Sequence, residues 1–248
     1  MVYLTKEDWK NFFIPKLFED NFFENEFKYI KNIFKIMTFI NSKLKNSNSI
    51  AQIILSTSMI YFHKYYNQNL IILSNLTPID KLIIAGSCIF LATKSTNHLL
   101  RVSNIVIIIN DIITIKFPNL KYDNELIKNM IFEKEFEILK SMEFCANIEL
   151  PYKFIIKLKT YFEKNINISC NILIGNVCQC INNSFFFPMS LYYTPNTIAI
   201  SCVKIIKEKF NLVDININNV ISLSEYKIDS NELNECYLIL EKLFDKLY

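Results

Sequence analysis

The chain has 248 residues, only two glycines (Gly86 and Gly175), a net charge of +3 and 51% hydrophobic residues. Nucleotide-binding loops and β-rich folds depend on glycine for tight turns, so this composition excludes the common phosphate-binding motifs and favours an all-helical fold. The net charge is small and the basic residues form no cluster, which argues against a nucleic-acid-binding surface. The longest apolar run, 82–92, is too short to span a bilayer.

Side-chain oxygens that can cap a helix mark several helix starts along the chain. They stand at Thr5, Ser49, Thr77 and Asp229, each followed three residues later by an acid or an amide. Prolines at positions 78 and 195 suit a first helical turn, where no amide hydrogen bond is lost. In chain order, the sequence predicts helices at 5–14, 24–45, 49–66, 78–96, 101–116, 124–146, 151–164, 168–185, 195–209 and 229–247, with a less regular segment at 216–224.

A short motif occurs twice, as IAGSC from Ile84 and as IAISC from Ile198, each time shortly after a Thr-Pro pair. The first copy lies in a stretch that is apolar or small on every side, which is typical of a buried central helix. The pair Leu150-Pro151 separates the two copies, because proline disfavours helical geometry in the residue before it. The repeat therefore predicts an N-terminal segment at 1–23, a first bundle at 24–149 and a second bundle at 150–248.

The seven cysteines are scattered through apolar segments, which indicates reduced core thiols. Cys178-x-Cys180, with Cys170 nearby, suggests a zinc site, but the chain has only two histidines and lacks the usual ligand spacing, so we expect no metal. No catalytic or cofactor-binding motif occurs, and we expect neither an enzyme nor a cofactor. The N-terminal residues lack the basic start and apolar middle of a signal peptide, and we expect a protein that stays inside the cell.

Four segments, in the correct order and spacing, resemble the cyclin family. SMIYFHKYY at 58–66, DKLIIAGSCIFLATK at 80–94 and FEKEFEILKSMEF at 132–144 are similar to the second, third and fifth helices of the cyclin box. SLYYTPNTIAISC at 190–202 is similar to the third helix, and the loop before it, of the second cyclin fold. The likeness is greatest to transcription-type cyclins of the C and H types, with the K, T and L types next. It implies an all-α fold of two tandem five-helix cyclin boxes with an extra N-terminal helix.

The resemblance also implies a binding site for a kinase subunit. Lys94 matches the lysine of the family's L-A-x-K pattern, and Glu135 matches the glutamate of the fifth helix. In the family these two groups bind the kinase within an apolar surface, which Leu91, Phe136 and Leu139 would supply here by position. Considered without the resemblance, Lys94 and Glu135 would be ordinary solvated residues.

Two features depart from the family pattern. Cyclins usually follow the lysine with two acids, as in K-x-E-E, whereas Lys94 is followed by Ser95-Thr96-Asn97. The lysine therefore loses neighbours that would normally orient it. The substrate-docking pattern M-R-A-I-L of cell-cycle cyclins is missing from YIKNIFKIM at 29–37, so we expect no recruitment through that motif.

The resemblance implies a non-catalytic regulatory subunit that binds and activates a cyclin-dependent kinase, in a transcription-associated or kinase-activating role. Activation would come from binding the kinase more tightly in the conformation where its helix C is in place. A nuclear location follows from the family, while a cytoplasmic pool and a third assembly subunit stay open. We expect no membrane and no direct nucleic-acid partner. Two alternatives remain: a B-type general transcription factor that binds DNA through paired cyclin folds, and a helical scaffold that binds neither kinase nor DNA.

Overall fold

The computed structural model describes residues 28–44, 48–68, 76–166 and 169–247, and within these ranges the chain forms helices and no strands. The predicted all-α class is therefore confirmed. The chain divides into two compact units, with the boundary between Ile148 and Glu149. The helix predicted at 5–14 lies outside the described residues.

The first unit is a five-helix bundle built around its third helix. Its helices are α1 (Lys28–Lys43), α2 (Asn48–Gln68), α3 (Pro78–Ser95), α4 (Val102–Lys116) and α5 (Asn124–Ser141). Helix α3 packs against each of the other four. Every residue at 82–93 is buried, as the uniformly apolar sequence of this stretch predicts.

Helix α3 begins at a capping box. The Thr77 hydroxyl accepts a hydrogen bond from the Asp80 amide at 3.2 Å, and the Asp80 carboxylate accepts one from the Thr77 amide at 2.9 Å. Both bonds satisfy backbone groups that have no partner within the helix. The predicted start at Thr77 is thus confirmed, whereas Ser49 lies one residue inside α2.

Gly86 lets α4 pack directly against the backbone of α3. A Cβ atom at this position would lie 2.6 Å from Ile109 Cδ1 and 3.2 Å from Ile105 Cγ2. Both isoleucines are fully buried, so neither can move aside freely. The close approach of the two helices therefore requires glycine at position 86.

Helix α5 ends earlier than the sequence predicts. The periodic pattern suggested a helix to residue 146, but α5 ends at Ser141. Glu143 and Phe144 have positive φ values of 52° and 59°, a left-handed conformation that non-glycine residues rarely adopt. This turn brings the Phe144 ring back to the ring of Phe136 on α5, with the centroids 6.0 Å apart.

The second unit is built around the helix that holds the second copy of the motif. It starts with a 3₁₀ turn (Pro151–Phe154) and continues with α6 (Ile155–Asn165), α7 (Cys170–Ser184), the single turn α8 (Met189–Tyr192), α9 (Pro195–Lys209), α10 (Ile217–Ser222) and α11 (Ser230–Leu247). Helix α9 packs against α7, α8, α10 and α11 and is capped by the Thr194 hydroxyl. Its residues 197–203 are buried, while the lysines that follow are partly exposed.

The cysteines are all free thiols, and four of them are buried: Cys88, Cys180, Cys202 and Cys236. Burial raises the pKa of Cys236 to about 12 and that of Cys88 further, so both stay protonated at neutral pH. Among the described residues, no cluster of His, Cys, Asp and Glu side chains could hold a metal ion. No described helix is long and apolar enough to cross a membrane.

Candidate functional site

The two polar residues singled out from the sequence lie against each other across the packed helices α3 and α5. Lys94, in the last turn of α3, forms an ion pair through Nζ with Oε1 of Glu135 in the middle of α5. The lysine side chain is 39% exposed, whereas the glutamate side chain is only 8% exposed. The pair therefore joins a buried carboxylate to a charge that reaches the surface.

Glu135 depends on Lys94 for the compensation of its charge. Its Oε1 atom is buried, and the Lys94 ammonium group lies against it. A buried carboxylate without a compensating charge is strongly unfavourable. An ammonium group carries three donors, and Lys94 at the surface can offer the remaining ones to a partner.

Lys94 is also held by an aromatic ring on its own helix. Its Nζ lies 4.3 Å from the ring centroid of Phe90, one turn earlier, which is a cation–π contact. The positions where cyclins carry two acids play a different part here. Thr96 donates a hydrogen bond from its hydroxyl to the Ala92 carbonyl at 2.7 Å, and Asn97 adopts a left-handed conformation, so both residues terminate α3. Phe90 and Glu135 orient the lysine instead of the missing acids.

Three exposed phenylalanines lie on α5, which carries Glu135, and in the turn that follows it. Phe132, Phe136 and Phe144 are 40%, 58% and 61% exposed, and we call them the aromatic patch. The Phe132 ring packs on Phe90 at 6.0 Å, and the Phe136 ring packs on Phe144 at the same centroid distance. Exposed aromatic clusters of this kind are typical of protein-binding surfaces.

The remaining apolar candidates differ in their exposure. Leu139 is partly exposed on α5, whereas Leu91 is only 4% exposed and lies in the core of the first unit. Leu91 can therefore support the surface but offers almost no area to a partner. Sequence reasoning missed Phe132 and Phe144. Phe132 could have been found from its i, i+4 spacing to Phe136, but Phe144 reaches the patch only through the left-handed turn.

Tyr61 of α2 fixes the chain on both sides of the candidate site. Its hydroxyl donates a hydrogen bond to the Ala146 carbonyl at 2.6 Å and lies 2.7 Å from Ser95 Oγ at the end of α3. Burial raises the pKa of Tyr61 to about 12, so the phenol stays a donor at neutral pH. This contact joins the end of α3 to the turn that positions Phe144.

Comparison with known proteins gives the family context of this site. No protein-family model matches the chain. The chain is 25% identical over 238 residues to cyclin-C of Drosophila pseudoobscura pseudoobscura and to cyclin-C of Drosophila melanogaster, and each alignment covers 88% of this chain and 85% of the relative. The chain is therefore similar to transcription-type cyclins, above all to those of the C type. A second cyclin, cyclin-L1 of Homo sapiens, is 22% identical over 160 residues, which cover 62% of this chain and 29% of that relative.

Solved structures share the fold of this chain. A chain in the yeast TFIIK (Kin28/Ccl1/Tfb3) complex superposes with a TM-score of 0.60 at 19% identity, covering 88% of this chain and 87% of that one. A chain in the yeast RNA Pol II CTD kinase CTDK-1 complex superposes with a TM-score of 0.68 at 18% identity, covering 88% and 66%. The predicted tandem cyclin fold is thereby confirmed.

Proposed function

We propose that this cyclin activates a transcription-associated or kinase-activating cyclin-dependent kinase through Lys94, Glu135 and the aromatic patch. One observation carries the proposal. A buried carboxylate is compensated by a half-exposed lysine, and exposed phenylalanines lie on the helix that carries the carboxylate and in the turn that follows it. Within this proposal the first cyclin box, which we place at 24–149, supplies the contact surface, and the second, at 150–248, completes the tandem fold.

The aromatic patch would supply most of the binding free energy. Apolar surface removed from water contributes about 25 cal/mol per Å², and large aromatic side chains dominate such interfaces. The ion pair would add direction, because Lys94 and Glu135 sit at fixed positions on two packed helices. Charged groups set within an apolar contact select the register of the partner more than they raise its affinity.

Activation would follow from the conformation that this surface prefers. A protein kinase is active when the glutamate of its helix C pairs with the lysine of its third strand. A cyclin surface that binds helix C only in that position shifts the kinase towards its active state by the difference in affinity for the two states. The cyclin itself would contribute no reacting group.

The proposed role in transcription rests on the relatives. The chain is most like cyclin-C, and two of its structural neighbours belong to the TFIIK complex and to an RNA Pol II CTD kinase complex. We propose that the kinase partner acts on the polymerase tail or on other kinases, and that the complex works in the nucleus. The TFIIK complex contains three proteins, so we also propose that the cyclin–kinase pair accepts a third, assembly subunit.

The decisive experiment is co-purification of the cyclin with candidate cyclin-dependent kinases, followed by a kinase assay on a polymerase-tail peptide. The variant Lys94→Ala/Glu135→Ala should lose both binding and activation. The matched control is Lys128→Ala/Glu125→Ala, which removes another ion pair of α5, joined at 3.1 Å on the exposed surface. This control should behave like the wild type.

The other results would overturn parts of the proposal. Equal kinase binding by the wild type and the Lys94/Glu135 variant would show that the interface lies elsewhere on a correct fold. Binding of DNA with a steep dependence on salt, in place of a kinase, would support the B-type transcription factor. Binding of neither would support the scaffold.

A further inference from the structure

Tyr61 of α2 connects the end of α3 to the chain that follows α5. Its side chain is fully buried, and its hydroxyl donates a hydrogen bond to the Ala146 carbonyl at 2.6 Å. The same hydroxyl lies 2.7 Å from Ser95 Oγ, which itself donates to the Ala92 carbonyl at 3.1 Å within α3. Ala146 follows Phe144 by two residues. The end of α3 is therefore the fixed anchor, and the chain after α5 is the part that Tyr61 holds.

The segment that contains Phe144 needs such a support. Glu143 and Phe144 have φ values of 52° and 59°, and two successive left-handed residues other than glycine are unfavourable. One local bond closes the turn, from the Phe144 amide to the Leu139 carbonyl at 2.9 Å. Residues 143–147 are exposed or partly exposed, so the core holds them little. Among the residues that the structure describes, Tyr61 makes the only hydrogen bond that reaches this segment from another helix.

Phe144 joins the aromatic patch through this turn. Its ring centroid lies 6.0 Å from that of Phe136. In other conformations of the segment the Phe144 ring would leave α5, and a partner would have to order it on binding. The apparent affinity of such a surface falls in proportion to the fraction of molecules in the competent conformation. A buried hydroxyl that keeps the turn in place therefore raises the affinity for a partner without touching it.

We propose that the Tyr61 hydroxyl is a positioning group that orders the kinase-binding surface before the kinase binds. It holds the turn after α5 against the end of α3, so that Phe144 keeps a fixed place relative to Lys94. This inference rests on the proposed function, because it assigns Tyr61 a role in the same surface. Since Tyr61 is fully buried and cannot contact a partner, its effect has to pass through the conformation of the free protein.

Hydrogen exchange followed by mass spectrometry on the whole chain, without a kinase, tests the positioning role directly. In Tyr61→Phe the amides of residues 142–147 should exchange several-fold faster than in the wild type, while the buried stretch 82–93 should exchange at the wild-type rate. The matched control is Tyr65→Phe. Tyr65 lies one turn later on α2, is also buried, and donates from its hydroxyl to Glu137 Oε2 at 3.0 Å in the middle of α5. This control should leave exchange at 142–147 unchanged.

Surface plasmon resonance with the kinase that the wild type captures shows whether the order of the turn matters for binding. Tyr61→Phe should bind about three- to tenfold more weakly, mainly through slower association, because fewer molecules hold the competent conformation. Tyr65→Phe should bind as the wild type does. Phe144→Ala removes a contact and should act mainly by faster dissociation. The double variant Tyr61→Phe/Phe144→Ala should bind no more weakly than Phe144→Ala, because the hydroxyl acts through the ring.

Glu143→Gly offers a rescue that a general loss of stability would not give. Glycine adopts the left-handed conformation of this position without steric cost, so it favours the turn even when the hydroxyl is absent. Tyr61→Phe/Glu143→Gly should therefore regain most of the association rate that Tyr61→Phe loses. Its exchange at residues 142–147 should slow towards the wild-type rate.

Four results would overturn the inference. Hydrogen exchange at 142–147 could be unchanged in Tyr61→Phe, or Tyr61→Phe and Tyr65→Phe could bind the kinase equally well. The losses of Tyr61→Phe and Phe144→Ala could add in the double variant, which would mean that the hydroxyl does not act through the ring. Glu143→Gly could also fail to restore association, which would mean that the conformation of the turn is not what Tyr61 controls.

Failure of the proposed function looks different. In that case Phe144→Ala and Lys94→Ala/Glu135→Ala would bind the kinase as the wild type does, because the kinase contacts another surface. Faster exchange after α5 in Tyr61→Phe would then still show that the hydroxyl orders the turn, since that measurement contains no kinase.

Discussion

Replacing Lys94 by methionine tests whether the ion pair stabilises the fold, apart from its role in binding. The change removes the charge that compensates Glu135, whose side chain is 8% exposed. Removing one partner of a fully buried ion pair typically costs about 3–5 kcal/mol. Because the Lys94 side chain is 39% exposed and water reaches this end of the pair, we expect a smaller loss of about 1–3 kcal/mol. For a chain of this length the loss corresponds to a fall in Tm of about 2–12 °C.

A double-mutant cycle separates the two roles. Lys94→Met leaves the buried carboxylate unpaired, whereas Lys94→Met/Glu135→Leu removes the carboxylate as well. Replacement of a buried pair by apolar residues of similar volume is often neutral, so the double variant should regain most of the lost stability. Thermal unfolding followed by circular dichroism gives the Tm values of the wild type, Lys94→Met, Glu135→Leu and the double variant. Kinase binding is measured on the same four proteins and should be weaker in all three variants than in the wild type.

Two results would refute this reasoning. An interaction free energy below about 0.5 kcal/mol between the two positions would mean that Glu135 does not depend on Lys94. Recovery of kinase binding together with stability in the double variant would mean that the pair only maintains the fold. Recovery of stability without recovery of binding is the expected combination, because the apolar pair restores packing but not the charges.

Three further predictions concern other parts of the molecule. Phe136→Ala should weaken kinase binding by about 1–3 kcal/mol while Tm stays nearly constant, because this ring is 58% exposed, and isothermal titration calorimetry would measure the loss. Gly86→Ala should destabilise the protein by about 1–3 kcal/mol, because the added Cβ clashes with α4. Gly175→Ala should stabilise α7 by about 0.5–1 kcal/mol, because a Cβ there meets nothing within 4 Å. Urea denaturation would measure both changes. Burial raises the pKa of Cys236 and of Tyr61 to about 12, so the folded state holds these protons more tightly than the unfolded state. Stability should therefore be complete below the unfolded-state pKa values of about 8.5 and 10, and it should fall as pH rises from there towards 12, which Tm measurements across this range would show.

Local signals in the sequence were sufficient for most of the fold. The capping box at Thr77, the uniformly apolar stretch at 82–92 and the repeated motif predicted the start, burial and duplication of the central helices. The end of α5 could not be predicted in this way. The periodic pattern continues to residue 146, and the left-handed turn at Glu143 and Phe144 adjoins Ala146, whose carbonyl binds Tyr61, a residue distant in sequence. No local rule anticipates a helix end that depends on such a contact.

The candidate site shows where a family pattern misleads and which signal corrects it. Matching Lys94 to K-x-E-E suggested a lysine that lacks its orienting acids. The Phe90 ring and the buried Glu135 carboxylate orient this lysine in the structure. Part of that arrangement is readable from the sequence, because Phe90 and Lys94 are four residues apart on one helix face.

The replacement of two acids by an aromatic ring beside Lys94 also affects binding. Two acids beside Lys94 would partly neutralise it towards a partner, whereas an aromatic ring leaves its positive charge in place. If the proposed interface is correct, the kinase that binds this cyclin should therefore present an acidic group or a carbonyl cluster to Lys94. Substituting that group on the kinase should weaken binding to the wild type but have little effect on binding to Lys94→Met.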